Sequence, residues 1–272
     1  MPGSFRPHHV LLTGAAGAIG GALARVLAAR HPQLRLSLVD CNAAGLLPLR
    51  RELGARSRAA PCDLADTAAL PALWEEACRE FGRIDCLINC AGFMEIRSFA
   101  ATSWELGEKL LQVDLLSPLR LMSLAVKSMT ASPSEPAPPQ APAGWIVNIS
   151  SMAGRVPLRG CSFYGAAKSG LYMASQIAGL ELAAAGVHVL TVLPGPVFSG
   201  LESRARGQVA PGLVSRYIPT GTPEVLAQRI ERALKRAQRR LVYPAVYRVA
   251  DRFSGASGRF AATFGPEPTN AP

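Results

Sequence analysis

The chain has 272 residues, 49% of them hydrophobic, and a formal net charge of +10, enough apolar material for one sizeable core and hence one domain by default. No run of about 18 apolar residues escapes a charge or a proline, which excludes a membrane-spanning helix. Residues 1–9 lack the apolar segment of a secretory signal, so a soluble, cytoplasmic protein is expected.

Only four of the 29 basic residues are lysine (Lys109, Lys127, Lys168, Lys235). With the abundant alanine this reads as a coding bias toward arginine, so the charge is no argument for nucleic acid, and no such partner is inferred. The charge is uneven, however: residues 201–260 hold 12 Lys/Arg against 4 Asp/Glu. The six cysteines (Cys41, Cys62, Cys78, Cys86, Cys90, Cys161) show neither metal-ligand spacing nor a small-domain disulfide framework and read as reduced thiols.

In chain order, 10–13 is an apolar strand feeding a glycine turn, and 18–30 is rich in strong helix formers. The alternation repeats: strand 34–39, helix 43–53, strand 58–61, helix 67–81, strand 84–89. It predicts a doubly wound α/β domain, a parallel sheet of about seven strands with helices on both faces. Residues 103–129 read as a long helix or two joined pieces, because Pro118 removes a backbone donor and kinks the middle. The Pro/Ala-rich stretch 130–144 reads as an insertion in solvent. Strand 145–149, helix 162–185, strand 187–193, an irregular segment 197–222, helix 223–240 with proline in its first turn, and strand 241–243 follow. Residues 245–260 are amphipathic. The domain is drawn as 1–261, with a substrate loop at 198–222 and a flexible tail at 262–272.

The turn Thr13-Gly14-Ala15-Ala16-Gly17-Ala18-Ile19-Gly20 puts small residues where a backbone must approach a pyrophosphate and a helix N-terminus faces it. Asp40 ends the second strand about 20 residues on. Its carboxylate can accept from the adenosine ribose hydroxyls and repel an added phosphate, which favours NAD over NADP. Tyr164 and Lys168 lie four apart and share a helix face. An ammonium there stabilises a phenolate and draws its pKa from about 10 toward neutrality, as acid/base work requires. Ser151 follows the strand 145–149, at the sheet edge where ligands bind. Ser150 competes with it.

Taken together these pieces resemble the short-chain dehydrogenase/reductase family from about residue 10 to about 247. They are the glycine turn, Asp63-Leu64, Asn89-Cys90-Ala91-Gly92, Ser151, Tyr164 with Lys168, and Pro194-Gly195-Pro196-Val197. The resemblance implies a Rossmann fold and an NAD(H)-dependent oxidoreductase interconverting a secondary alcohol and a ketone. Tyr164 would be the general acid/base, Ser151 would polarise the substrate oxygen, and Lys168 would bind the nicotinamide ribose. Gly14, Ala16, Gly17, Ala18, Ile19 and Gly20 would hold the pyrophosphate, with Asp40 on the ribose. Asp63 and Leu64 would line the adenine, and Asn89, Ala91 and Gly92 the adenosine side. Pro194, Gly195 and Val197 would meet the carboxamide, with Ser199 where threonine is usual.

Two departures stand out. Ala18 occupies a glycine position of the family pattern. Asp114 occupies the place of the fourth catalytic residue, an asparagine, and its extra carboxylate would shift neighbouring pKa values.

Residues 154–163 and 198–222 would set specificity. Their Val156, Leu158, Phe163, Phe198, Leu201, Leu213, Val214 and Ile218 point to a fairly apolar substrate. Helix 223–240 groups Leu226, Ile230, Ala233, Leu234 and Ala237 on one face. With Tyr243, Val246, Tyr247 and Phe253 following, either this face packs on the sheet or the basic C-terminal region makes a weak peripheral contact with anionic membrane. The family suggests a homodimer or homotetramer paired through the helices bearing Asp114 and Tyr164. Alternative functions are reduction of 3-oxoacyl groups on an acyl carrier protein or CoA, and cofactor binding with weak or lost catalysis.

Overall fold

A computed structural model describes residues 5–130, 143–209, 219–264 and 267–269. The insertion expected at 130–144 therefore lies almost wholly outside the described residues, as do Leu213, Val214 and Ile218 of the substrate loop and parts of the tail.

Seven strands form one all-parallel sheet: β1 (His9–Thr13), β2 (Arg35–Asp40), β3 (Ser57–Pro61), β4 (Cys86–Asn89), β5 (Gly144–Ile149), β6 (Val187–Pro194) and β7 (Arg240–Tyr243). Their order is β3-β2-β1-β4-β5-β6-β7. Runs such as HVLLT, CLIN and GWIVNI are apolar almost throughout because helices cover both faces of the sheet. One face packs α1 (Ala18–Arg30), α2 (Ala43–Leu53) and α8 (Pro223–Lys235), and the other α3 (Leu70–Phe81) and α5 (Ser117–Thr130). The chain reverses its direction of travel between β1 and β4, and the crevice at their C-terminal ends is where an open parallel sheet binds its ligands.

Of the two readings of 103–129, the joined pieces hold: α4 (Trp104–Leu111) and α5 meet at a π-helical turn, Gln112–Leu116. Sequence puts the kink at Pro118, and the structure puts it just before. Pro118 has no N–H to return to the Asp114 carbonyl, so the preceding residues widen into the π turn. The segment 197–222 is not wholly irregular, because it contains α7 (Gly200–Gly207), capped by Ser199.

Helix α8 ends at Lys235, before the predicted 240. Leu226, Ile230, Ala233 and Leu234 on its apolar face are buried against α1 and the sheet, with Ala237 partly so. That face is therefore unavailable to a membrane. The amphipathic stretch 245–260 forms α9 (Tyr247–Arg252) and α10 (Ser254–Phe264). Helix α6 (Ser162–Glu181) completes the fold.

Candidate active site

The glycine turn passes from β1 into α1 with Gly14 at φ +70°. A Cβ on Gly20 would stand 2.1 Å from the Gly14 carbonyl oxygen, so the helix can start this close to the turn only with glycine there. Ala18 is exposed at the first position of α1. Gly17, the N-cap, supplies no side-chain acceptor, so the leading N–H groups of α1 face the crevice uncapped.

Asp40 stands beside this turn. Its Oδ2 accepts from the Ala16 N–H (3.0 Å) and its Oδ1 from the Asn42 N–H (2.9 Å). The cap of α2 is Asn42, whose side chain accepts from Gly45 N–H, so Asp40 is not a capping residue. Uncapped donors for a pyrophosphate and a carboxylate for ribose hydroxyls form a set that fits a dinucleotide.

Across the crevice, the Thr13 hydroxyl oxygen accepts from Cys90 N–H (3.0 Å) and Ala91 N–H (3.1 Å), fixing the loop after β4 to the end of β1. The Asn89 side chain turns inward and donates to Asn148 Oδ1 (2.8 Å). Only its backbone remains for the cleft. Asp63 is exposed and closes a turn onto Ala65 N–H, while Leu64 is buried.

Tyr164 and Lys168 project from the first turns of α6 and are both buried. The two serines separate cleanly. Ser150 donates to the Lys168 carbonyl (2.8 Å), which ties α6 to β5, whereas Ser151 accepts from Ala153 N–H (3.1 Å) and stands near enough to the Tyr164 phenol to favour its ionised form. Lys168 Nζ donates to the Ile149 carbonyl (3.1 Å) and meets Asp114 Oδ1 at 2.9 Å. The other Asp114 oxygen accepts from Phe93 N–H (3.3 Å). Gly92 makes room for this pair, since a Cβ there would stand 2.3 Å from Asp114 Oδ1.

The electrostatics differ from the expectation of an acidified phenol. Burial pushes the Tyr164 pKa up; the Lys168 ammonium opposes this, but the Asp114 carboxylate adds to it, and the net direction is upward. Burial works against the Lys168 ammonium too, yet Asp114 and Tyr164 outweigh it and hold the lysine above its ordinary value. Burial likewise raises Asp114 in spite of the lysine. The lysine acts on the phenol in the expected sense, and the aspartate partly neutralises it.

Around Tyr164 the wall is apolar, built from Leu110, Ala153, Phe93, Met94, Leu106 and Phe163. Phe163 stacks on exposed Phe99 at 5.8 Å. Phe93 and Met94 of this wall follow Gly92 in the loop after β4, where nothing in the sequence marks them as site residues. Thr13 had a sequence signal, a hydroxyl at a strand end before a glycine turn. Pro194 and Val197 are buried at the end of β6, and Gly195 lies under the Tyr247 ring. Ser199 accepts from Glu202 N–H (3.1 Å), which leaves its hydroxyl proton free to donate. Cys90 and Cys161 are thiols raised by burial, to about 12 and about 11.

The family model described as short chain dehydrogenase matches residues 8–209. The D-threitol dehydrogenase of Mycolicibacterium smegmatis is 32% identical over 214 residues, 78% of this chain and 78% of that protein. The ketoacyl reductase HetN of a Nostoc strain is 33% identical over 230 residues, 83% of this chain and 75% of its own length. A short-chain dehydrogenase from Sphingobium yanoikuyae, solved in complex with NADPH, superposes with a TM-score of 0.74 at 29% identity, covering 93% of this chain and 95% of that one. With its all-parallel sheet, its glycine turn and the cluster at Tyr164, the chain belongs to the short-chain dehydrogenase family of oxidoreductases.

Proposed function

We propose that the protein is an NAD(H)-dependent dehydrogenase/reductase that interconverts a secondary alcohol and a ketone on a fairly apolar substrate. One observation carries this reading: Ser151, Tyr164 and Lys168 converge at the C-terminal ends of β5 and α6's first turns, while Ser150 is committed elsewhere. A bound nicotinamide dinucleotide supplies the hydride acceptor or donor. The leading N–H groups of α1 would hold its pyrophosphate and Asp40 its adenosine ribose. Lys168 would hold the nicotinamide ribose, and the loop from Pro194 to Ser199 the carboxamide.

Tyr164 takes the proton from the alcohol oxygen in oxidation and returns it in reduction. Ser151 donates to the same oxygen and fixes it against the phenol. Lys168 stabilises the phenolate, to an extent set by Asp114. The apolar wall of Phe93, Met94, Leu106 and Phe163 leaves few polar anchors for a sugar-like substrate.

A second reading, reduction of 3-oxoacyl groups on an acyl carrier protein or CoA, is supported by the basic surplus of residues 201–260 and by the relative named a ketoacyl reductase. Asp40 speaks against it, because its charge disfavours the phosphorylated cofactor. The chain could also bind cofactor with weakened catalysis, for which Asp114 is the only hint. Exposed Met173, Ile177 and Leu180 on one face of α6, with Leu116 beside it, support pairing into a homodimer or homotetramer through these helices. The six free cysteines fit a reducing, cytoplasmic setting.

The test is Tyr164→Phe, assayed by NADH formation over a panel of lipophilic and polar alcohols. Turnover should fall by about a thousandfold or more, on the scale of a lost acid/base, with NADH affinity kept. Intact turnover in the variant overturns the catalytic assignment, and exclusive use of sugars overturns the apolar substrate.

A further inference from the structure

Helices α9 and α10 have two faces with different fates. The inner face is closed by packing around the cleft. The Tyr247 ring covers Gly195 and its hydroxyl donates to the Pro219 carbonyl (3.1 Å). Asp251 takes Arg155 (3.1 Å) and Arg240, and Gly258 rests on Pro157. Phe253 closes α9 with its N–H on the Val249 carbonyl (3.0 Å) and, after a non-helical turn of its own backbone, opens α10 by accepting from Ser257 N–H (2.9 Å).

The outer face carries Val246, Val249 and Phe253, which are 56%, 66% and 62% exposed. Their spacing keeps one side of a helical path. Arg248, Arg252 and Arg259 are exposed along the same stretch, and none has an acidic partner among the described residues. Asp251 is the only acidic residue from 245 to 264, and it points inward to two arginines.

We propose that this face docks on an anionic lipid bilayer. Three large apolar side chains beside three uncompensated guanidinium groups match the two layers of such a surface, headgroup charge above acyl chain. A second copy of this chain fits less well, since a two-fold contact here would set arginine against arginine. The inner face of the same helices braces Pro157 and the loop after β6, so docking brings the cleft mouth to the lipid. That last step rests on the apolar-substrate reading, whereas the lipid contact itself does not.

The experiment is co-sedimentation of the full chain with vesicles of phosphatidylcholine containing phosphatidylglycerol, against phosphatidylcholine alone, at low and high salt. The expected result is association with the anionic vesicles that weakens at high salt. Arg248→Gln/Arg252→Gln/Arg259→Gln should weaken it on the order of a hundredfold, and Val249→Ser/Phe253→Ser should also release the protein. All five side chains are exposed, so both variants should keep their circular dichroism. Absence of association, or association that neither variant changes, overturns the proposal. So does a variant that alters only the mass measured by light scattering, which would give the face to a second copy. Loss of alcohol oxidation in the unaltered protein, with vesicle binding intact, would overturn the catalytic reading alone.

Discussion

Asp114 Oδ1 lies 2.9 Å from Lys168 Nζ, both groups buried, so the lysine beside the Tyr164 phenol is one half of an ion pair. An amide at position 114 would hydrogen-bond the ammonium without cancelling its charge. The carboxylate does cancel part of it, and the phenol is left harder to ionise.

Asp114→Asn should therefore acidify Tyr164. Alcohol oxidation uses the phenolate, so its rate rises as pH climbs through the tyrosine pKa. Removing the carboxylate should move that rise to lower pH by on the order of one unit. The pH profile of kcat/KM measures it; an unchanged profile, or a shift to higher pH, would refute the coupling.

Asp40→Ala should remove two fixed backbone contacts and the carboxylate offered to the ribose. Loss of a charged hydrogen bond is worth about 1.5–3 kcal/mol, so NAD should bind roughly tenfold to a hundredfold more weakly. NADP should lose less or gain, as the repulsion disappears. Titration of both dinucleotides decides, and equal losses for the two would remove Asp40 from cofactor selection.

Glu231 of α8 is fully buried and meets Arg30 of α1, His31 at 3.6 Å and Lys235. Burial works against its charge, but the hydrogen bonds from Lys235 and Arg30 prevail and hold its pKa below 4.5. A depressed folded pKa contributes stability that is present above the unfolded value and lost as pH falls through the folded one. Because Arg30 and Lys235 can rehydrate, Glu231→Ala should cost about 2–3 kcal/mol at neutral pH, read by urea unfolding. The difference from the unaltered protein should shrink only below about pH 4.5. A variant of undiminished stability would show that the cluster contributes nothing net.

The parallel sheet was legible in the sequence because alternating apolar runs and helix formers are local signals, whereas helical crossovers leave the strand order open and only the structure gives it. Asp40 at a strand end and Tyr164 four before Lys168 were legible as local signals too, whereas the choice of Ser151 over Ser150 came from the family resemblance. The tyrosine's electrostatic setting was not legible, since burial depends on Leu110, Phe93 and Met94 from other elements. The apolar face of α8 read equally well as packed or as membrane-facing, because amphipathicity does not say which partner the face meets. Only its contact with α1 decides. The break between α4 and α5 was displaced by a few residues because proline acts on the carbonyl four positions before it.

Between the strands, Asn89 donates to Asn148, Asn148 to Ser175 (2.8 Å), and Ser175 to the Leu171 carbonyl (2.6 Å). In a sheet whose strands are apolar on both sides, side-chain chemistry alone would tolerate sliding one strand along another. This thread of amides forbids it, since a single-step slip would strand them in hydrocarbon. The depth at which Tyr164 sits beneath the crevice is thus indexed by polar groups that never meet a substrate.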